Sequence, residues 1–354
     1  MKLVGIGDLF IPKRFIKEGF QSLEALGVDV EVLDWELKDH TELQHVNLMV
    51  ENGGSDAYDP PDYIMEAVRD ADIIITQFCP INRKVIDQCP NLKVIGILRS
   101  GYENINTEYA SSKGILVYNT PGRNADAVAD FTVGLLIAEC RNIARGHLGL
   151  KEGRWIREYP NTAQIPDLPG KTVGLVGLGE IGLKVARRLT GFDMKIIGYD
   201  PFASQVPDYV TLVELEDLMK QSDFVSLHVR LTPDTEGMID DRLLALMKPS
   251  AYLINTSRSA LVNEQALYRA LKDRKLAGAA LDVFDVEPPG IDYPLVTLDN
   301  ITLTPHMAGG SIDAFYQSPK KLAPEIAKLW QKEDSRYLVN RNLFDQWLET
   351  SSFA

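Results

Sequence analysis

The stretch TVGLVGLGEIGLKVARRLTGFDMKIIGYD, residues 172–200, decides the fold. It opens with an apolar run, Thr172–Val176, of the length of a buried parallel strand. Gly177, Gly179 and Gly182 follow in GxGxxG spacing. Ile181, Val185 and Leu189 then recur every fourth position, which is one face of a helix. A second apolar run ends on Asp200, about twenty residues past the turn, where the dinucleotide fingerprint places an acid. Each part has a physical task. Gly177 permits a tight turn, Gly179 lets backbone approach a pyrophosphate, and Gly182 lets helix and strand pack closely. The helix start offers free amides and a partial positive charge to an anion. A carboxylate at Asp200 accepts from ribose hydroxyls and repels a 2′-phosphate, so the spacing predicts NAD rather than NADP. A ligand-free βα turn is the competing reading, and the strand, helix and acid in register weigh against it.

Working outward, apolar runs alternate with helix-like segments, which predicts α/β architecture with parallel sheets. Downstream of Lys171 the strands are Thr172–Gly177, Lys195–Asp200, Tyr209–Leu212, Phe224–Val229, Tyr252–Ser257, Gly278–Val283 and Ile301–Pro305. This series suits a full Rossmann dinucleotide-binding domain. Upstream, strands are read at Leu3–Ile6, Val28–Leu33, Asp72–Thr76, Lys93–Leu98 and Ile115–Asn119, with amphipathic segments Pro12–Leu26 and Asp62–Asp70 between them. Asn52–Pro61, with two Gly and two Pro, reads as an exposed loop. Thr120-Pro121-Gly122 marks a boundary. The expected division is 1–119 plus 311–354 as a flavodoxin-like substrate domain and 120–310 as the NAD-binding domain. Asp126 to about Arg145 reads as one long helix with Val128, Phe131, Leu135 and Ala138 as its apolar stripe. It either bridges domains or meets another subunit. The chain from about Ser311 reads as helical and folds back on the first domain.

Composition narrows the function classes. The 354 residues exceed a single core of about 250–300 residues, so two domains are expected. The chain is 45% apolar and 25% charged with a net charge of −13, so nucleic acid is not an expected partner. An anionic ligand must be held by a few local basic groups and backbone amides. Cys79, Cys89 and Cys140 form no CxxC pair, which predicts free buried thiols in a reducing cytoplasm and no zinc site. A zinc alcohol dehydrogenase is thereby set aside. Asp8 interrupts the first apolar run, so no signal peptide is expected, and no run approaches the roughly 18 apolar residues of a membrane span.

Three polar residues follow three strands: Arg258, Glu287 and His306. Ligands of open α/β sheets bind beyond the carboxyl ends of the strands. A histidine supplies or takes a proton near neutral pH. A carboxylate bonded to it orients the ring. An arginine grips a carboxylate with its planar fork. Singly, each is more ordinary as a surface charge or a structural histidine; the joint placement beside a dinucleotide turn gives them weight.

Residues from about 95 to 310 resemble the D-isomer-specific 2-hydroxyacid dehydrogenases. The resemblance is carried by NTPGRNADAVAD at 119–130, GLVGLGEIG at 174–182, NTSR at 255–258, ALDVFDVEP at 280–288 and TPHMAGG at 304–310. It implies hydride transfer between nicotinamide C4 and C2 of a small D-2-hydroxy or 2-oxo acid. It also implies Arg258 as the residue that binds substrate carboxylate and carbonyl, His306 as the acid/base and Glu287 as its partner. Asp282 is then expected to hold the nicotinamide carboxamide. Gly177, Gly179, Glu180, Ile181, Gly182, Asp200, Val229, Thr256, Ser257 and Gly309 line the cofactor, and the Arg99-Ser100-Gly101 loop receives the substrate carboxylate. A homodimer across the long helix is implied too.

The chain departs from the family pattern at three places. His228-Val229-Arg230 lacks the usual proline, and Arg230 reads as a solvated charge. Ser259 replaces the usual glycine after Arg258, which requires a conformation that a Cβ tolerates. Glu287 in place of glutamine argues against formate as substrate. The resemblance is closest to phosphoglycerate-type members, with glycerate/hydroxypyruvate, glyoxylate and sugar acids as the other expected substrates. No C-terminal regulatory domain is expected. A phosphate-bearing substrate needs further cations, for which Arg123 and Arg230 are candidates. The rival reading is an NAD-sensing interaction protein, since some transcriptional corepressors resemble the same family; the complete Arg258, Glu287 and His306 set favours the enzyme.

Overall fold

The computed structural model describes residues 1–350. The chain divides into two compact units, one made of Met1–Arg123 with the chain from Ser311, the other of Asn124–Gly310. The first break therefore falls between Arg123 and Asn124 rather than after Asn119.

The first unit holds β1 (Lys2–Gly7), β2 (Asp29–Asp34), β3 (Ile73–Thr76), β4 (Val94–Ile97) and β5 (Leu116–Tyr118). They form a parallel sheet in the order β2-β1-β3-β4-β5, the flavodoxin-like order. The central strands β3 and β4 are short, mostly β-branched runs because both of their faces are buried, whereas the edge strand β2 exposes Asp29 and Glu31. Consecutive residues accordingly enter opposite cores. Leu3, Ile73, Ile75 and Val94 meet Phe15, Ile16, Leu322 and Ile326 on one face. Val4, Ile6, Ile74 and Ile95 meet Ile64, Val68, Val85 and Ile86 on the other. Each such side chain contributes about 1.5–3 kcal/mol on burial. The 312–327 helix packs on the Lys13–Phe20 helix, and Leu338 then bridges Tyr118 antiparallel. Pro12–Leu26 is this helix followed by a 3-10 segment, Gln21–Leu26. Asn52–Pro61 is only partly loop. Asn52 and Gly53 finish a helix, His40–Gly53, that buries Leu43, Val46 and Val50, and Ser55–Ala57 forms a 3-10 turn with Ser55 buried.

The second unit holds β6 (Thr172–Val176), β7 (Lys195–Tyr199), β8 (Val210–Leu212), β9 (Phe224–Leu227), β10 (Tyr252–Asn255), β11 (Gly278–Leu281) and β12 (Ile301–Leu303). All pairings are parallel, in the order β12-β11-β10-β9-β6-β7-β8. The order reverses at β6, so β6 and β9 flank the topological switch point where such sheets bind dinucleotides.

The long helix is two. Ala125–Cys140 ends before Asn142, which takes a left-handed φ of 56°, and Ile143–Lys151 follows. The buried stripe of the first includes Val128, Ala129, Thr132, Leu135, Leu136 and Glu139, whereas Phe131 and Ala138 are only partly covered. This helix packs on the Glu180–Thr190 helix and on β10, β11 and β12. Among the described residues, no helix is long and apolar enough to cross a membrane, and all three cysteines are free and buried.

Candidate active site

The second unit builds its site from the carboxyl ends of its strands. β6 runs into Gly177, whose φ of 96° only glycine adopts readily. A Cβ there would lie 2.7 Å from the His228 carbonyl carbon. At Gly182 a Cβ would run into the Gly177 carbonyl oxygen, so the Glu180–Thr190 helix starts tight against the turn. Gly179, by contrast, faces open space, as a turn that admits a ligand requires. Glu180 is exposed and Ile181 half-buried at the helix start.

Asp200 follows β7. Its Oδ2 accepts from the Leu178 amide at 2.9 Å and its Oδ1 from the Phe202 amide at 2.9 Å. The carboxylate is thus fixed against the turn and keeps lone pairs for further donors. Val229 follows β9 and is half-buried, and Arg230 beyond it is exposed. His228 is half-buried with its Nδ1 sealed from solvent, and its Nε2 lies 2.9 Å from Ser226 Oγ. Burial pushes its pKa down to about 3, so it stays neutral.

Beyond β10, Thr256 and Ser257 have their hydroxyls engaged within the protein. Thr256 Oγ1 lies 2.8 Å from Thr132 Oγ1, and Ser257 donates to the Leu227 carbonyl at 2.6 Å. Asn255 donates to the Arg258 carbonyl at 2.8 Å and fixes the loop. Arg258 itself is exposed, and its guanidinium donates to the Ser257 carbonyl at 2.8 Å. Ser259 has no left-handed φ, so its Cβ is tolerated.

His306 and Glu287 meet: Nδ1 lies 2.8 Å from Oε2. The glutamate's other oxygen accepts from the Phe284 amide at 3.0 Å, which aims the carboxylate. With Nδ1 held, Nε2 is the nitrogen free to exchange a proton with a ligand. His306 takes a left-handed φ of 48°, a conformation that costs a non-glycine residue about 1–3 kcal/mol unless its surroundings impose it. Asp282 imposes it. Fully buried, it accepts from the Met307 and Ala308 amides at 3.0 and 2.8 Å and from Thr304 Oγ1 at 2.6 Å. Sequence reading missed this clamp and the support behind Glu287, where Tyr293 accepts from the Asp285 amide at 3.2 Å and donates to Glu264. Neither has a local signal, because Asp282 and Thr304 stand 22 residues apart and Glu264 and Tyr293 stand 29 apart. Gly309 follows the clamped turn.

In the first unit, the Arg99-Ser100-Gly101 loop leaves β4. Arg99 is engaged with Asn47 at 2.8 Å and with Glu51 and Glu103, each at 3.1 Å. The Arg99 guanidinium is therefore committed within the protein. Among the described residues, no cluster of His, Cys, Asp and Glu is disposed to hold a metal ion.

Residues 133–308 match the family model described as D-isomer specific 2-hydroxyacid dehydrogenase, NAD binding domain. A D-3-phosphoglycerate dehydrogenase from Methanocaldococcus jannaschii is 41% identical over 282 residues, 78% of this chain and 53% of the relative. The chain therefore spans about half the length of that relative. A glyoxylate reductase from Thermofilum pendens is 39% identical over 293 residues, 80% of this chain and 86% of the relative. Among solved structures, a protein from Thermus thermophilus is 30% identical and superposes with a TM-score of 0.72 over 96% of this chain and all of the other.

Proposed function

The chain belongs to the D-isomer-specific 2-hydroxyacid dehydrogenase family, and we propose from that premise that it interconverts a small D-2-hydroxy acid and its 2-oxo acid with NAD as hydride carrier. The observation that carries the proposal is the His306–Glu287 pair at 2.8 Å, with the exposed Arg258 on the same edge of the sheet.

In the reduction direction, the Gly177–Gly182 turn would hold NADH, which would supply the hydride. Arg258 binds the carboxylate and polarises the keto oxygen. His306 Nε2 delivers the proton to the developing alkoxide while Glu287 holds Nδ1–H and stabilises the imidazolium. In oxidation the same nitrogen takes the proton. Asp282 is proposed to act by setting the His306 turn from behind, since it is fully buried with both oxygens engaged. The Ser100 and Gly101 amides are proposed to receive the substrate carboxylate. Relatives named phosphoglycerate dehydrogenase, glyoxylate reductase and hydroxypyruvate reductase set the substrate range to be tested. A homodimer is proposed on the exposed Ile143, Leu148, Leu150 and Trp155. A cytoplasmic location is proposed on the three free thiols.

The deciding experiment follows NADH oxidation, with NADPH in parallel, against glyoxylate, pyruvate, hydroxypyruvate, phosphohydroxypyruvate and sugar-derived 2-oxo acids. Turnover of one of them with preference for NADH is expected. NADH binding without turnover of any would move the assignment to an NAD sensor.

A further inference from the structure

The first unit contains an arginine without a partner. Arg123, at the end of the segment after β5, makes no side-chain hydrogen bond or ion pair among the described residues, and its Nη1 is sealed from solvent. What holds it is stacking: the guanidinium lies 5.2 Å from the centroid of Phe315, in the first turn of the 312–327 helix. Phe315 in turn stacks on Phe10 at 5.0 Å. Lys321, two turns further along that helix, reaches the Gly122 and Arg123 carbonyls at 3.3 and 3.5 Å, and it too has no ion pair among the described residues. Arg99 adds a third positive charge close enough to disfavour the Arg123 cation, but Glu51 and Glu103 already neutralise it.

The acid facing Arg123 is Asp8, just after β1. It is not a counter-ion in contact. Its Oδ1 accepts from the Phe10 and Ile11 amides, each at 2.9 Å, and its Oδ2 has no partner. Burial pushes the Asp8 carboxyl up to about 6, against the pull of those amides and of Arg123. A partly buried cation is unfavourable unless something neutralises it. Arg123 lies just past the carboxyl end of β5, with Lys321 on its backbone carbonyl, and the molecule around them is strongly acidic. Arg123 also keeps part of its surface open, so a small ion has a route to it.

We propose that Arg123, held against Phe315 and with Lys321 on its backbone carbonyl, binds a compact anionic group, a phosphate or a carboxylate, through the part of its guanidinium left open to solvent. The group belongs either to a substrate or to a separate ligand. Assigning it to a substrate rests on the dehydrogenase reading; the site itself does not. Arg230 is exposed and far less constrained, so it is not assigned this task.

Calorimetric titration of the NADH-saturated protein with inorganic phosphate and with malonate tests the site directly. NADH fills the pyrophosphate turn and removes it from the measurement. Binding of either probe should weaken at least tenfold in Arg123→Met, partly recover in Arg123→Lys, and weaken in Phe315→Leu. Thermal unfolding without anion should place Arg123→Met at or above the parent, because an unneutralised cation has been removed, and phosphate should raise the melting temperature of the parent more than that of the variant. Unaltered phosphate and malonate affinity in folded Arg123→Met overturns the site. A melting temperature well below the parent also overturns it, by making Arg123 a structural residue.

Kinetics then identify the source of the anion. A fall of at least tenfold in the kcat/KM ratio of phosphohydroxypyruvate over hydroxypyruvate in Arg123→Met places the group on the substrate. An unchanged ratio with Arg123-dependent phosphate binding places it on a separate ligand. If no 2-oxo acid is turned over while that binding persists, the dehydrogenase reading fails and the anion site stands.

Discussion

His306 shows how a single backbone setting carries the chemistry. Its left-handed φ points the ring at Glu287, and the buried Asp282 holds the turn by accepting the next two amides. Replacing His306 by Ala should lower kcat by about 100-fold or more, the usual contribution of a positioned acid/base, with NADH affinity retained in a direct titration. Asp200→Ala should narrow the preference for NADH over NADPH, read as the ratio of kcat/KM values, because the carboxylate that repels a 2′-phosphate is gone. His228 makes a pH prediction. Its folded pKa of about 3 lies below the ordinary 6.5, so the folded state binds fewer protons than the unfolded one in that window. Stability is therefore fully present above about 6.5 and declines as pH falls toward 3. At pH 5 the loss from this group is about 2 kcal/mol. His228→Gln, which does not titrate, should show a shallower decline between pH 7 and 5 in denaturant melts.

At the scale of elements, the buried link between two helices matters most. Glu139 on the 125–140 helix is almost fully enclosed and takes Arg145 of the 143–151 helix on both oxygens, each at 2.8 Å, with Thr302 of β12 at 2.6 Å. Burial raises the Glu139 pKa and Arg145 opposes the rise. Arg145→Ala strands that carboxylate and should destabilise by about 3 kcal/mol or more, measured as a lowered denaturant midpoint. The same elements show where sequence reading stops. The twelve strands among the described residues were legible, the central ones because two-sided burial writes itself as short apolar runs and the edge strands β2 and β8 from their place between helical segments. The break at Arg141–Asn142 was not, because asparagine is compatible with helix and its left-handed turn answers to partners such as Asn161, 2.7 Å away. The His40–Gly53 helix was hidden by polar residues around its three buried positions. In the site, the Glu287–His306 pairing was legible from residue chemistry. The engagement of Thr256 with Thr132, 124 residues earlier, had no local trace.

At the scale of the whole molecule, the exposed Leu148, Leu150 and Trp155 form a surface costly to leave in water. Light scattering should give a dimer mass, and Leu148→Glu with Trp155→Glu should give a monomer. A monomeric parent removes the proposed dimer.

The first unit is also discontinuous in the chain, and this bears on synthesis. Leu322, Ala323 and Ile326, which cover one face of its sheet, lie beyond the whole of Asn124–Gly310. At about 5–20 residues per second a ribosome needs on the order of ten to forty seconds to translate that insertion. For that time the nascent β1–β5 segment has left the exit tunnel with one apolar face covered only in part, by Phe15, Ile16 and Phe20. The inserted unit, contiguous in sequence, closes first, and the half-covered sheet ahead of it is the segment that a chaperone on the emerging chain would meet.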